Sequence, residues 1–168
     1  TYPLIIGKNI FNVVATGKNG NILAESRIRV LRLVAFKDIQ EGYWAKSPIE
    51  YLATIGIIGG YPDGTFRPDK TINRAELTTL LVRAKSTASP EAIDTIFVDV
   101  KKKHWASFFI KTGVETNLVT GYPDKTFRPA KSLSRAEGVT ILSRFAELKE
   151  PDLLLEGPFP DVPGRHWA

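Results

Sequence analysis

Two arginines occupy the same unusual position in a repeated motif. Arg74 lies in NRAE (73–76), and Arg135 lies at the same place in the second copy, SRAE (134–137). A cation at the first position of a helix opposes the helix dipole, so helix formation itself gives no reason for it. An arginine there could hold an anion together with the free N–H groups of the helix end. It could equally form a salt bridge to an aspartate, and the residues alone leave both roles open.

The residues around each arginine predict the start of a helix. Asn73 and Ser134 precede apolar-periodic runs, and Glu76 and Glu137 follow three positions after them. This spacing is the signature of a capping box, in which the cap side chain accepts from an early helix N–H and the Glu accepts from the N–H of the cap. We therefore assign these four residues a structural role as helix caps.

Three further residue types recur at fixed places, and each has two interpretations. The Asp two positions after a Phe is either a turn or cap residue or an acceptor for a sugar hydroxyl. The Trp at each helix start is either a core residue or the wall of a shallow groove that stacks on a sugar. The Gly that opens each turn serves a positive φ or a close backbone approach. These residues are Asp38, Asp99 and Asp161, Trp44, Trp105 and Trp167, and Gly60 and Gly121.

All of these residues belong to one long sequence repeat. GYPDGTFRPDKTINRAE (60–76) returns as GYPDKTFRPAKSLSRAE (121–137) with twelve of 17 positions identical. A second marker, Phe-x-Asp followed by Trp-Ala, begins at Phe36, Phe97 and Phe159. We predict full repeats at 36–96 and 97–158 and the start of a truncated third at 159–168, and we expect the parent protein to continue.

Each repeat predicts two helices separated by a turn that contains Pro and Gly or Lys. The first helix should end at Gly56, and the second should run from Arg74 to about Lys85. One such unit is too small to bury its apolar face alone, so neighbouring repeats must pack together. The predicted buried faces are Ile49, Leu52, Ala53 and Ile57, then Leu77, Leu80, Leu81 and Ala84, and in the second repeat Val139, Ile141, Leu142 and Phe145.

Residues 1–35 differ from the repeats. Apolar and polar residues alternate on both sides of Asn19-Gly20, which is a strong signal for a β-hairpin. Two strands alone are marginally stable. We therefore expect the C-terminal strands of an upstream, Ig-like β-sandwich, closely apposed to the first repeat near Val34.

Composition excludes several classes of function. The chain has no Cys, which removes disulfides, thiolate zinc sites and Cys nucleophiles and fits a protein outside the cell. The net charge of +5 is not gathered into a basic stripe with interleaved aromatics, so no nucleic-acid partner is expected. No apolar run reaches the roughly 18 residues of a membrane span. No metal motif or base–nucleophile pair is visible, so we expect neither an enzyme nor a cofactor.

The order and spacing of these motifs resemble the S-layer homology (SLH) module. Its hallmark is FxDvxxxxWA, a helix, GiixGypDGtFrP and a TRAE motif that opens a second helix. This chain has FKDIQEGYWA, GIIGGYPDGTFRP and NRAE, then FVDVKKKHWA, NLVTGYPDKTFRP and SRAE, over about three quarters of its length. The departures are small: Asn73 and Ser134 replace the Thr of TRAE, and Lys125 stands where Gly64 stands in the first turn.

The resemblance implies a mainly α fold in which three copies pack about a pseudo-threefold axis. Such modules bind cell-wall glycan non-covalently, either a secondary polymer that carries acidic pyruvate ketals or a peptidoglycan-linked polymer. Their ligand grooves lie between copies, and the Arg of TRAE is the residue most associated with binding. Applied to this sequence, the expected groove residues are Arg74, Arg135, Asp38, Asp99, Trp44, Trp105, Gly60 and Gly121.

The sequence therefore predicts a non-catalytic, extracellular module that holds a surface protein to the cell wall by binding its polysaccharide. The alternative is a structural self-assembly module of a surface-layer lattice. Two repeats cannot close a three-copy arrangement. For this reason we also expect the chain to self-associate, to pair with a second chain, or to bind poorly.

Overall fold

The computed structural model of the chain describes residues 3–85, 91, 93–149, 159–162 and 167. These residues form two strands, β1 (Gly7–Thr16) and β2 (Ile22–Arg32), and four helices, which are α1 (Lys46–Thr54), α2 (Arg74–Lys85), α3 (Ser107–Glu115) and α4 (Arg135–Phe145). The predicted combination of a short hairpin with helical repeats is confirmed. The pseudo-threefold arrangement and the Ig-like parent domain stay predictions.

The chain divides into two compact units, Thr1–Lys70 and Thr71–Ala168. The boundary falls inside the first sequence repeat, just before α2. The first unit holds the hairpin and α1, and the second unit holds α2, α3 and α4. As a result, the second helix of the first repeat belongs to the same unit as the second repeat.

The hairpin forms where the Asn-Gly signal predicts it. Its strands pair antiparallel from Gly7 opposite Arg32 to Thr16 opposite Ile22. The connecting turn is closed by a hydrogen bond from Gly17 N to Asn21 O of 2.8 Å. Gly20 has a φ of +78°, which only glycine adopts at no steric cost.

The core of the first unit is small and built around aromatic and aliphatic side chains of the repeat. Phe36, Ile39, Ala45 and Ile49 are buried together, and Phe66 packs against them. The chain that leaves the hairpin joins this unit directly, because Val34 N donates to Thr54 Oγ1 at 2.8 Å. Helix α1 ends just before Gly56, which has a φ of +82°.

The core of the second unit is larger and is centred on the packing of α2 against α3. Phe127 and Ile110 are fully buried there. The helices approach closely at Gly113, where an added Cβ would lie 2.9 Å from Thr78 Cγ2. Small and β-branched residues therefore decide which side of α2 faces α3.

That packing corrects the buried face predicted for α2. The prediction followed the large aliphatic residues and included Ala84, which is exposed. The buried residues of α2 are instead Arg74, Ala75, Thr78, Thr79, Leu81 and Val82. Periodicity of large side chains misplaced the face because the closest approach between helices selects small ones.

The buried face predicted for α4 is also only partly right. Ile141 is buried, but Val139 is 52% exposed and Leu142 is 48% exposed. The described neighbours of α4 cover the side that carries Ile141 and leave the adjacent apolar side open. Periodicity identified the apolar residues of the helix but not the side that its neighbours cover.

Candidate ligand groove

Helix α2 begins by docking onto the second repeat. Arg74 N donates to Lys131 O at 3.0 Å and Ala75 N donates to Pro129 O at 3.0 Å. Asn73 forms an isolated antiparallel bridge with Ser132. These backbone contacts fix the start of α2, and with it the Arg74 side chain, against the turn of the following repeat.

The same contacts correct one prediction. Free N–H groups at the start of the helix cannot help to hold an anion at α2, because the N–H groups of Arg74 and Ala75 are already bonded to carbonyls. The next N–H, of Glu76, donates to Asn73 Oδ1 at 2.8 Å. Only the arginine side chain is left there to meet a ligand.

Both helix starts have the reciprocal bonds of a capping box. Glu76 Oε2 accepts from Asn73 N at 2.8 Å, and Asn73 Oδ1 accepts from Glu76 N. In α4, Glu137 Oε2 accepts from Ser134 N at 2.9 Å, and Ser134 Oγ accepts from Glu137 N at 3.2 Å. The four residues therefore define where these helices begin.

The side chain of Arg74 is buried in the second unit, with 7% of the residue exposed. Its Nε donates to Phe127 O at 3.0 Å, and its Nη2 donates to Thr120 O. The guanidinium carbon lies 4.6 Å from the centroid of the Phe127 ring and 5.2 Å from that of Tyr122. Carbonyl dipoles and ring faces thus hold the cation.

No carboxylate among the described residues forms a salt bridge with Arg74. The salt bridge to an aspartate that the sequence allowed is therefore not formed within that part of the chain. Burial lowers the pKa of Arg74, and the nearby charge of Arg144 lowers that pKa too, while Tyr122 and Glu137 act in the opposite direction. The guanidinium remains protonated, as arginine does in proteins.

Arg74 lines a groove of about 320 Å³ on the second unit. The wall includes Gly121 and Tyr122 from the turn, Glu137, Thr140 and Arg144 from α4, and Trp167. Thr140 Oγ1 is buried and makes no hydrogen bond within the described part of the chain. The groove thus combines two cations, one carboxylate and aromatic surface, with a buried hydroxyl in its wall.

The carboxylate in this wall, Glu137, is ionised and forms a salt bridge with Lys131. Lys131 Nζ donates to Glu137 Oε1 at 2.7 Å, and Tyr122 OH lies 3.3 Å from the same oxygen. The hydrogen bond from Lys131, with that from Ser134 N, lowers the pKa of Glu137 to about 2. Its ion pair is therefore with Lys131, although its charge also favours the charged form of Arg74. Neither Arg74 nor Arg144 forms a salt bridge with a described residue.

The structure treats Arg135 differently from Arg74, although the two occupy equivalent positions. Arg135 is exposed, and its side chain makes no hydrogen bond or ion pair with any other residue that the structure describes. It is not part of the wall around Arg74. The two predicted anion contacts are therefore not brought together.

Asp38 and Asp99 hold the turns of their repeats in place. Asp38 Oδ1 accepts from Phe66 N at 2.8 Å and its Oδ2 accepts from Arg67 N at 2.7 Å. Asp99 makes the equivalent bonds in the second repeat at 2.8 and 2.7 Å. Each pair fixes an arginine in the left-handed region, with φ of 61° at Arg67 and 58° at Arg128. Both oxygens of each carboxylate are thus occupied by backbone N–H groups from the distant turn of the same repeat.

The turns are also organised by side chains whose role the sequence analysis did not identify. Asp63 Oδ2 accepts from Arg67 Nη2 at 2.9 Å, and the Arg67 guanidinium lies 3.9 Å from the centroid of the Tyr61 ring. A hydrogen bond from Thr65, followed by that from Arg67, lowers the pKa of Asp63 to about 2. The D-x-T-x-R spacing, which occurs twice in the sequence, is the pattern that indicates this hydrogen-bonded turn. The equivalent set in the second turn is Asp124, Thr126, Arg128 and Tyr122.

Gly60 and Gly121 serve close approach, not a positive φ. A Cβ at Gly60 would lie 2.3 Å from Phe36 Cε1, and one at Gly121 would lie 2.0 Å from Phe97 Cε1. Each glycine therefore admits the ring of the Phe that begins its repeat. Gly121 also lines the groove that contains Arg74.

The tryptophans are surface residues, so the alternative that they fill the core is wrong. Trp44 is 86% exposed and Trp105 is 58% exposed. Each lies beside a second ring, Tyr43 at 6.0 Å and His104 at 5.7 Å between centroids. Trp167 lines the Arg74 groove, whereas Trp105 does not.

Within the described residues, no group of three or more His, Cys, Asp or Glu could hold a metal ion. None of the helices there has the length and apolar character that a membrane crossing requires.

Comparison with known proteins identifies the family. The model of the S-layer homology domain matches residues 35–78 and 96–137. The chain belongs to this family, as the motifs predicted.

The relatives include anchoring and surface-layer proteins as well as an enzyme. A cellulosome-anchoring protein of Acetivibrio thermocellus is 39% identical over 140 residues, which cover 80% of this chain and 31% of the relative. A surface layer protein of Brevibacillus choshinensis is 36% identical over 99 residues, covering 57% of this chain and 9% of the relative. An exoglucanase of Acetivibrio thermocellus is 33% identical over 137 residues, covering 82% of this chain and 12% of the relative.

The chain thus spans less than a third of the length of these relatives. The family and its surface-layer and anchoring members support a cell-surface anchoring module. They also confirm the predicted cell-surface location. The exoglucanase carries the matching region as a small part of an enzyme, which agrees with an accessory role for the repeats.

Proposed function

We propose that this chain holds a surface protein to the cell wall by binding an acidic wall glycan, and that Arg74 contacts its anionic group. The observation that carries the proposal is the buried Arg74 guanidinium, which lines a groove and has no carboxylate partner in the described residues. A secondary wall polymer with pyruvate ketals would supply such an anion. A peptidoglycan-linked acidic polymer is the other source of the same chemistry.

The geometry around Arg74 supports this role. Two of its guanidinium nitrogens are bonded to carbonyls, which fixes the plane of the group, and Nη1 makes no hydrogen bond to a described residue. A carboxylate that meets Nη1 would gain a charge-assisted bond of about 1.5–3 kcal/mol. Because the side chain is already ordered, little conformational entropy is lost on binding.

The other residues that the sequence predicted as ligand contacts are proposed with narrower roles. Arg135 is an anion contact separate from the Arg74 groove, and its exposure leaves it accessible. Trp44 and Trp105 offer exposed ring faces on which a sugar can stack. The four turn residues, Asp38, Asp99, Gly60 and Gly121, act indirectly by setting the shape of the turns. Several such contacts along one polymer would add avidity.

Co-sedimentation with purified wall sacculi, before and after acid extraction of their secondary polymer, tests the proposal. We expect the unsubstituted chain to bind the sacculi, and we expect this binding to be lost when the polymer is extracted. A double variant, Arg74→Lys with Arg135→Ala, should bind weakly, because Lys cannot reproduce the planar fork of Arg. Arg29→Ala, which removes an exposed charge from β2, is the control and should bind like the parent.

Three results would revise this assignment. Binding that survives extraction would identify peptidoglycan itself as the ligand. Parent-like binding by the double variant would remove both arginines from the site. No binding by the parent chain would favour the self-assembly module.

Self-assembly is the second candidate function, and one observation favours it. Val139 and Leu142 leave an apolar side of α4 about half exposed, and such surface is typical of interfaces between subunits. Sedimentation velocity without wall material measures self-association of the chain directly. Association that grows with protein concentration and is weakened by Leu142→Lys would support this candidate.

A further inference from the structure

The groove around Arg74 contains a second arginine that the motifs did not single out. Arg144 lies in the last turn of α4, where a cation is favoured by the helix dipole, so its charge does not oppose the fold. It lines the same groove as Arg74. Its charge also contributes to the lowered pKa of Arg74, which indicates that the two cations lie near each other.

No contact within the described residues accounts for the guanidinium of Arg144. It is exposed and makes no hydrogen bond, ion pair or ring contact there. It also lines a second cavity of about 240 Å³, together with Lys85, Thr112 and Leu118. The side chain is therefore accessible from two cavities and is not committed to the packing of either.

The equivalent arginine of the first repeat behaves differently. Arg83 holds the same place in α2, and its guanidinium carbon lies 5.2 Å from the centroid of the Phe109 ring. The first repeat thus uses this position for packing, whereas no described ring lies under Arg144. Arg83 does not line the Arg74 groove, which makes it a matched control.

We propose that Arg144 is a second anion contact of the Arg74 groove, where a bound carboxylate lies against both guanidinium groups. The proposal rests on the proposed function and deepens it. Like charges held near each other repel, and a bound anion relieves that repulsion. Glu137 supplies only part of this relief, because its salt bridge is with Lys131 and it forms none with either arginine.

The test separates the charge of the ligand from its shape. The probes are a methyl hexopyranoside that carries a 4,6-linked pyruvate ketal and the methyl ester of the same compound, which is neutral. Each is titrated by NMR into the 168-residue chain and into Arg144→Gln, Arg83→Gln and Arg74→Lys. Circular dichroism checks that each variant keeps the fold of the parent, which we expect for the exposed Arg144 and Arg83.

We expect Arg144→Gln to weaken binding of the acid on the order of tenfold to a hundredfold, as loss of a charge-assisted contact would. Binding of the ester should change less than about twofold, and Arg83→Gln should leave both affinities near those of the parent. Equal weakening of acid and ester by Arg144→Gln would assign it a packing role and overturn the proposal. Parent-like binding of the acid by Arg144→Gln would also overturn it.

Failure of the proposed function gives a different pattern. If the parent chain binds neither probe, or if Arg74→Lys binds the acid as the parent does, the acidic-glycan function of the groove is wrong and the role of Arg144 falls with it. If the parent binds the acid and Arg74→Lys does not, the function holds and the result for Arg144→Gln decides the further inference alone.

Discussion

Arg74 and Arg135 occupy the same position in two copies of one motif, yet their loss should affect stability very differently. Arg74→Ala removes two hydrogen bonds from a charged donor and leaves the carbonyls of Thr120 and Phe127 without that donor. Each such bond contributes about 1.5–3 kcal/mol. Removing the buried charge recovers part of its desolvation cost. We therefore expect the free energy of unfolding to fall by about 2–4 kcal/mol.

Arg135→Ala should have almost no effect on stability. The side chain is exposed and has no polar partner in the part of the chain that the structure describes. Surface substitutions of this kind change the free energy of unfolding by no more than about 0.5 kcal/mol. The pair therefore forms its own control, since the motif position, the residue type and the charge removed are the same.

Urea denaturation followed by far-ultraviolet circular dichroism measures both variants against the parent chain. The expected result is a lower midpoint for Arg74→Ala with an unchanged slope, and a parent-like curve for Arg135→Ala. Equal destabilisation by the two substitutions would refute the reasoning, because it would mean that the contacts from Arg74 to Phe127 and Thr120 do not stabilise the fold. A parent-like curve for Arg74→Ala would refute it as well.

Three further substitutions test the turns and the groove. Gly121→Ala places a methyl group 2.0 Å from Phe97 Cε1, and overpacking of this kind should lower the free energy of unfolding by about 1–3 kcal/mol, measured in urea. Asp99→Asn keeps the size of the side chain but can accept at only one oxygen, so thermal unfolding should occur at a lower temperature than in the parent. The pKa of Glu137 is lowered to about 2 from an ordinary 4.5, so its stabilising contribution is present above pH 4.5 and is lost as the pH falls towards 2. Glu137→Gln should therefore show a smaller loss of stability than the parent between pH 5 and about pH 2.5, and equal losses would contradict the bond from Lys131.

The local elements could be predicted from the sequence. The hairpin follows from Asn19-Gly20 between two alternating runs, because the connection needs a positive φ at Gly20 that glycine adopts at no steric cost. The start predicted for α2, at Arg74, agrees with the structure because a capping box lies within four consecutive residues and needs no distant partner. The family itself was also accessible, because its motifs are short, ordered and repeated at a fixed spacing.

The role of each repeated residue depends on contacts between distant parts of the chain. Arg74 is buried because its guanidinium reaches a carbonyl 53 residues away, and nothing within NRAE specifies that contact. Asp38 and Asp99 are similar cases, since their partners lie 28 and 29 residues along the chain. Identical motifs predict identical local conformations, but the neighbours that fold onto them differ. That difference makes one arginine part of a groove wall, leaves its equivalent in solvent, and gives Arg144 a place beside the first.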